Sequence, residues 1–245
     1  MKKLASLLLA LVMMLCLCSC GVMEAINSSI APDADDVSKD VESGAVSLGV
    51  VENNVYRNDY FGIRCELSED WTFYSEEEIL ELNNVSIDSS GIDWSNAPII
   101  YDMYATHQTN FSSININMEK LSSLAASDLD IKSYLEPQFD AIKSGLTNTG
   151  YSNVTVEYAK ITVDGRQYDG IKVHGDIQGI DFYEVIFCYR KGNYLVNTAV
   201  ATLQTDTTAE MLSAFTMSET KIPVAIIGSG DFLCKVSCLL PNRVL

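Results

Sequence analysis

Val154-Thr155-Val156-Glu157-Tyr158-Ala159-Lys160-Ile161-Thr162-Val163, then Asp164-Gly165, then Gln167 to His174: this stretch turns back on itself. Its first ten residues are rich in the β-branched and aromatic types that fill strands. Asp164-Gly165 tolerates the two positive φ angles of a two-residue hairpin turn. The pattern then repeats. Gly179 lies near the next turn, and Phe182–Arg190 and Tyr194–Thr202 flank Lys191-Gly192-Asn193 as a second hairpin. Strands joined by short turns pair antiparallel, because a parallel pair needs a crossover of a dozen residues or more. Residues 154–202 therefore predict four antiparallel strands.

Working outward, Asp128 to Leu146 predicts the long helix. Leu129, Tyr134, Leu135, Phe139, Ile142 and Leu146 fall near one stripe, and Pro137 must kink or divide it. Thr205 to Phe215 predicts a final helix capped by Thr205 or Asp206. Upstream, Ile99–Ala105 and Ser112–Met118 predict strands. Ile114-Asn115-Ile116-Asn117-Met118 alternates strictly, which predicts one buried face and one wet face. Ser75 followed by Glu78 three residues later is a capping box for a helix over Glu76–Leu82. Strands and helices in this order predict an α+β domain, an antiparallel sheet flanked by helices.

Tyr60-Phe61-Gly62-Ile63-Arg64-Cys65-Glu66-Leu67-Ser68-Glu69-Asp70-Trp71-Thr72-Phe73, with Tyr74 to Ile79 after it, resembles the opening of small lipoproteins from Gram-positive gut bacteria. The resemblance covers about 20 residues as motif and about Val55 to Ser218 as topology. It implies a PsbP-like α/β/α sandwich over 55–220 and, by analogy alone, an accessory or binding role. It carries over no catalytic residue.

The N-terminus gives an address. Lys2 and Lys3 precede an almost purely apolar run from Leu4 to Leu17, the length of a signal h-region and short of the ~20 residues that span a bilayer as a helix. Leu17-Cys18-Ser19-Cys20-Gly21 then resembles a lipobox. The resemblance implies that a diacylglycerol is attached to the Cys20 sulfur and that residues 1–19 are removed. The chain is thus expected on the extracytoplasmic face of a cell membrane, held there through the lipid on Cys20; two acyl chains anchor firmly where one is marginal. Residues 20–54 read as an acidic flexible tether, although Val46 to Val51 is apolar enough to dock. Residues 221–245 form an atypical apolar tail, either an added strand pair or a frameshifted end.

Charge excludes some partners. The chain carries 16 Lys+Arg against 33 Asp+Glu, a formal net charge of −17. Such a surface repels phosphate backbones, so no nucleic acid is expected. Two histidines, His107 and His174, stand far apart and suggest solvated roles. There is no Gly-x-Ser-x-Gly, no phosphate-binding glycine loop and no second Cys pair beside Cys234 and Cys238, so no catalytic residue, cofactor or metal is assigned. Glu76, Glu77, Glu78, Asp88, Asp93, Asp128 and Asp130 lack the spacing of a calcium loop and read as helix-start and surface acids. Tyr56, Tyr60, Trp71, Phe73 and Trp94 read as core and rim. Of seven cysteines, Cys65, Cys188, Cys234 and Cys238 remain after the signal and lipobox. They allow disulfides, or buried free thiols at Cys65 and Cys188. The leading expectation is a non-catalytic binding or accessory domain with an envelope protein partner. An envelope enzyme using carboxylates, or a structural lipoprotein, stands beside it.

Overall fold

The computed structural model describes residues 48–83, 87–88, 91–92, 99–121 and 129–218. The signal peptide, Cys20, the expected tether before Leu48, Asp93, Trp94, Asp128, Cys234, Cys238 and the tail lie outside these residues.

In chain order the elements are β1 (Val50–Glu52), β2 (Val55–Asn58), β3 (Ile63–Glu66), β4 (Trp71–Phe73), α1 (Glu76–Leu82), β5 (Ile87–Asp88), β6 (Gly91–Ile92), β7 (Ile99–His107) and β8 (Ser113–Lys120). There follow α2 (Ile131–Leu135), a 3-10 turn (Glu136–Gln138), α3 (Phe139–Asn148), β9 (Ser152–Val163), β10 (Arg166–Ile177), β11 (Ile180–Lys191), β12 (Tyr194–Leu203), α4 (Thr208–Leu212) and β13 (Phe215–Met217).

Local chemistry accounts for the clearest boundaries. Asp164 and Gly165 take φ of 49° and 73°, and Gln178 and Gly179 take 55° and 81°. Those angles build the twisted two-residue turns that join β9 to β10 and β10 to β11. Pro137 divides the helical stripe into α2, a 3-10 turn and α3. At the start of α1, Glu78 N–H donates to Ser75 Oγ, and Ser75 N–H donates to Glu78 Oε2 at 2.7 Å.

Seven strands form the main antiparallel sheet, in the order β4-β7-β8-β12-β11-β10-β9. A smaller sheet runs β1-β2-β3-β13. Its residues Tyr56, Phe61, Ile63, Cys65 and Phe215 meet Ile114, Ile116, Met118, Phe187, Val196 and Val200 of the main sheet in the largest core, together with Met211 and Leu212 of α4. The opposite face packs Ile171, Val173, Phe182, Cys188 and Leu195 against Leu135 and Leu146 of the helices.

This corrects the expected PsbP-like α+β sandwich. Strands dominate the described residues, and one face of the main sheet is closed by a second sheet rather than by helices. Of the smaller sheet, β3 lies within Tyr60–Leu67, whose alternation predicts a strand, while β1, β2 and β13 escape sequence reading because they are three or four residues long. A period of two cannot be counted over so few positions, and Phe215–Met217 continues a helical run. Within the expected tether, the described part of Val46–Val51 docks: Leu48 packs on the core and β1 pairs with β2.

Candidate functional site

Three acidic side chains are buried where strand patterning would place apolar ones, and burial of a charge is the informative departure. Asp102 sits in a bulge of β7 between Tyr101 and Met103. An extra residue re-aims a side chain, and here the Asp102 carboxylate meets the smaller sheet. It accepts hydrogen bonds from the Tyr56 hydroxyl, from Asn58 Nδ2 at 2.8 Å and from Gly49 N–H at 2.6 Å. Burial raises its pKa above the usual carboxylate range, and those three bonds oppose the shift. Both oxygens are thus committed to tying β1 and β2 onto β7.

Glu119, on β8, accepts from the Tyr134 hydroxyl at 2.5 Å, which holds α2 to the sheet. Its second oxygen, Oε2, is buried with no partner among the described residues, and burial raises the pKa of Glu119. Glu184, on β11, is 8% exposed and lies opposite Val173 and Ala201. Burial alone pushes its carboxyl up to about 7. The register separates these two acids. Ser113 faces Ala201, which faces Glu184, so Glu184 is level with Ser113, six positions along β8 from Glu119. Six strand residues span about 20 Å, well beyond the ~5–9.5 Å between the carboxyls of a glycosidase pair.

The polar face of β8 is also interior. Asn115, Asn117 and Ser113 are buried, as is Asn197 beside them on β12. Asn197 Nδ2 donates to Asn117 Oδ1 at 3.1 Å, and Asn117 Nδ2 donates to Asn115 Oδ1 at 3.2 Å. The wet face expected from the alternation is instead a buried polar layer, linked by hydrogen bonds among Asn115, Asn117 and Asn197. Alternation reports which residues share a face, and it does not report whether that face meets water.

The open site lies elsewhere, where the β3–β4 turn, the end of β7 and α4 converge on a groove of about 290 Å³. Trp71 and His107 are direct partners across the β4–β7 ladder, with ring centroids 5.2 Å apart and planes at 85°. Gln108 N–H donates to the Asp70 carbonyl at 2.9 Å, which closes this end of the ladder. His107 Nδ1 accepts the Thr109 N–H at 3.2 Å. From α4, Thr207, Glu210, Met211 and Ala214 share one face at helical spacing and line the groove. Glu66 stands at the end of β3, its N–H bonded to the Ala214 carbonyl at 3.0 Å. The floor is Leu67, Trp71 and Met211, and the rim carries Glu66, Ser68, Asn110 and Glu210. Among the described residues no Lys or Arg lines it. Arg64 engages Glu66 Oε2 at 2.7 Å, and Glu210 makes no ion pair among the described residues.

A second cavity, of about 160 Å³, lies over β9–β11 and is lined by Glu157, Lys172, His174, Tyr183 and Asp206 among others. Lys172 faces Glu157 across the β9–β10 ladder, and His174 Nε2 stands 3.4 Å from Asp181, so a cation sits among its acids. Other residues singled out in the sequence scatter. Glu76, Glu77 and Glu78 form the exposed first turn of α1, and Asp130 is the N-cap of α2. Tyr56 is core, and Tyr60 and Phe73 pack at its margin. Cys65 and Cys188 are free, buried thiols in different cores. Of the groove's residues only Trp71 and His107 stand out in sequence, and their pairing needs the β4–β7 register.

No family model matches the chain, and no curated protein matches it. Among solved structures, one of a Bacteroides thetaiotaomicron VPI-5482 protein aligns over 69% of this chain at 6% identity, with a TM-score of 0.39. The alignment takes in 50% of that protein, so this chain spans half of its length. LpqN of Mycobacterium tuberculosis, described as involved in cell envelope biogenesis, aligns over 61% of this chain and 75% of its own, at 11% identity and a TM-score of 0.32. Neither likeness is close enough to assign an activity.

Proposed function

We propose that this chain is an exported lipoprotein, held through a lipid on Cys20 at the extracytoplasmic face of the cell membrane, whose domain binds a partner without transforming it. The lipobox Leu17-Cys18-Ser19-Cys20 behind a charged, apolar leader supports the address. The observation that carries binding over catalysis is the disposition of the acids. Asp102 and Glu119 are buried singly, and Glu184, which borders the cavity over β9–β11 with Glu157 and Asp206, lies one residue off the Glu157–Lys172–Val185 row and so faces the other side of the sheet; the groove at Trp71 holds an apolar floor and a polar rim. A carboxylate enzyme needs two such groups converging on one open cavity.

Two measurements test this reading. Mass spectrometry of the N-terminal peptide from cells should find residue 20 as the first residue and diacylglyceryl-modified, and Cys20→Ser should release the protein from membranes. An unmodified Cys20 in a membrane-bound chain refutes the anchor. In-cell cross-linking should then capture an envelope partner that is lost with Trp71→Ala. Capture unchanged by that substitution refutes the groove as the binding site.

A further inference from the structure

We propose that the groove at Trp71 takes a ligand bearing an organic cation, an alkylammonium or guanidinium group such as a basic peptide side chain carries. The inference rests on the groove being the binding site. Its floor is an indole with Leu67 and Met211, and among the described residues the acids that line it are Glu66 and Glu210, with His107 beside the indole. An aliphatic stem lies on such a floor while its charged head reaches the rim, the division of labour long basic side chains follow at surfaces. Trp is also the best aromatic partner for a cation. Arg64 occupies Glu66 Oε2, which leaves Oε1 and the whole Glu210 carboxylate to the ligand. The formal charge of −17 draws cations toward the domain and repels anions. The cavity over β9–β11 lacks this bias, because Lys172 sits among its acids.

Full-length protein in detergent, in a Trp94→Phe background, leaves Trp71 as the sole indole reporter. The probes are agmatine, N-acetyl-lysine methylamide and the neutral N-acetyl-norleucine methylamide. The two cations should change Trp71 fluorescence saturably and bind more weakly as salt rises. The neutral probe should bind at least about tenfold more weakly, and Glu66→Gln with Glu210→Gln should cost the cations about tenfold, as two exposed charge contacts do. Both substituted positions are exposed, and unchanged circular dichroism verifies folding. Equal binding of neutral and cationic probes, or binding indifferent to the double substitution, overturns the cationic ligand and leaves the groove as an apolar site. No response of Trp71 to any probe overturns the proposal. If partner capture still depends on Trp71, the groove survives that failure; if capture ignores Trp71, the groove fails as well.

Discussion

Replacing Glu184 by Gln should flatten one section of the protein's stability against pH. In the unfolded chain this carboxyl ionises near its ordinary value of 4.5, and in the folded protein burial moves it to about 7. Below pH 4.5 both states hold the proton and the group is silent. Between 4.5 and 7 the unfolded chain releases the proton while the folded protein keeps it. Stability from this group, fully present in acid, is therefore lost as pH rises through the folded value. The linkage slope is ~1.4 kcal/mol per pH unit, so over this window the loss is about 3 kcal/mol. That is a large share of the ~5–15 kcal/mol of a typical domain. The glutamine that replaces Glu184 would carry no proton to lose. Its amide has a fixed cost or gain, so only the pH-dependent part of the difference matters. Urea unfolding of both proteins at half-unit intervals from pH 4.5 to 8 measures it, and the other acids cancel in the subtraction. The variant should gain on the wild type by about 3 kcal/mol across the window and run parallel above pH 7.5. A difference flat within ~0.5 kcal/mol would refute the account, because a Glu184 that ionises normally must be solvated.

Asp102→Ala should cost about 3 kcal/mol, since it orphans the Tyr56 hydroxyl, Asn58 Nδ2 and Gly49 N–H together. Chemical denaturation measures the cost, and a loss below ~1 kcal/mol would mean that the carboxylate does not bind the two sheets. Gly170→Ala should destabilise by about 3 kcal/mol, because its Cβ would stand 2.2 Å from the Ile186 carbonyl oxygen and 2.8 Å from Ile161 Cγ1. An unchanged Tm would show that β10 and β11 can part there freely. Burial pushes the Cys65 thiol up to about 12 and raises the Cys188 thiol as well. Neither should react with an aromatic disulfide reagent at pH 8 until the protein unfolds; prompt labelling of either thiol in the folded state would contradict its placement.

What the sequence disclosed was what local chemistry alone decides. Asp164-Gly165 specifies a turn through the φ angles it tolerates, Pro137 divides a helix through the N–H it lacks, and Ser75 with Glu78 closes a cap. None of these depends on a distant neighbour. The second sheet is hidden because its pairing is non-local: β13 meets β3 through Phe215 and Cys65, far apart in sequence, and although Tyr60–Leu67 alternates, β1, β2 and β13 are too short to display a period. Asn115 and Asn117 were misplaced for a related reason. Their polarity was read as exposure, but what covers a strand face is set by elements elsewhere in the chain. The groove compounds both difficulties, since Glu66, Trp71, His107 and Glu210 come from four separate segments.

Net charge is the one sequence property that bears on the groove, and it treats all 33 acids alike. The fold sorts them. Asp102, Glu119 and Glu184 lie inside, where burial raises each pKa, that of Glu184 to about 7, which takes part of its charge out of the neutral-pH balance. They serve the protein as tie points and as a pH-dependent load, and an approaching ligand scarcely feels them. Glu66 and Glu210 are exposed on the rim of the groove, and Arg64 offsets only the first of them. A field from the whole acidic surface is screened within about 8–10 Å at physiological salt, so it can bring a cation close without choosing where it rests. The choice falls to the groove, where two carboxylates and an indole act at contact distance. Recognition there should consequently respond to Glu66 and Glu210 far more than to equal numbers of acids removed elsewhere, such as Glu76 and Glu77 on α1.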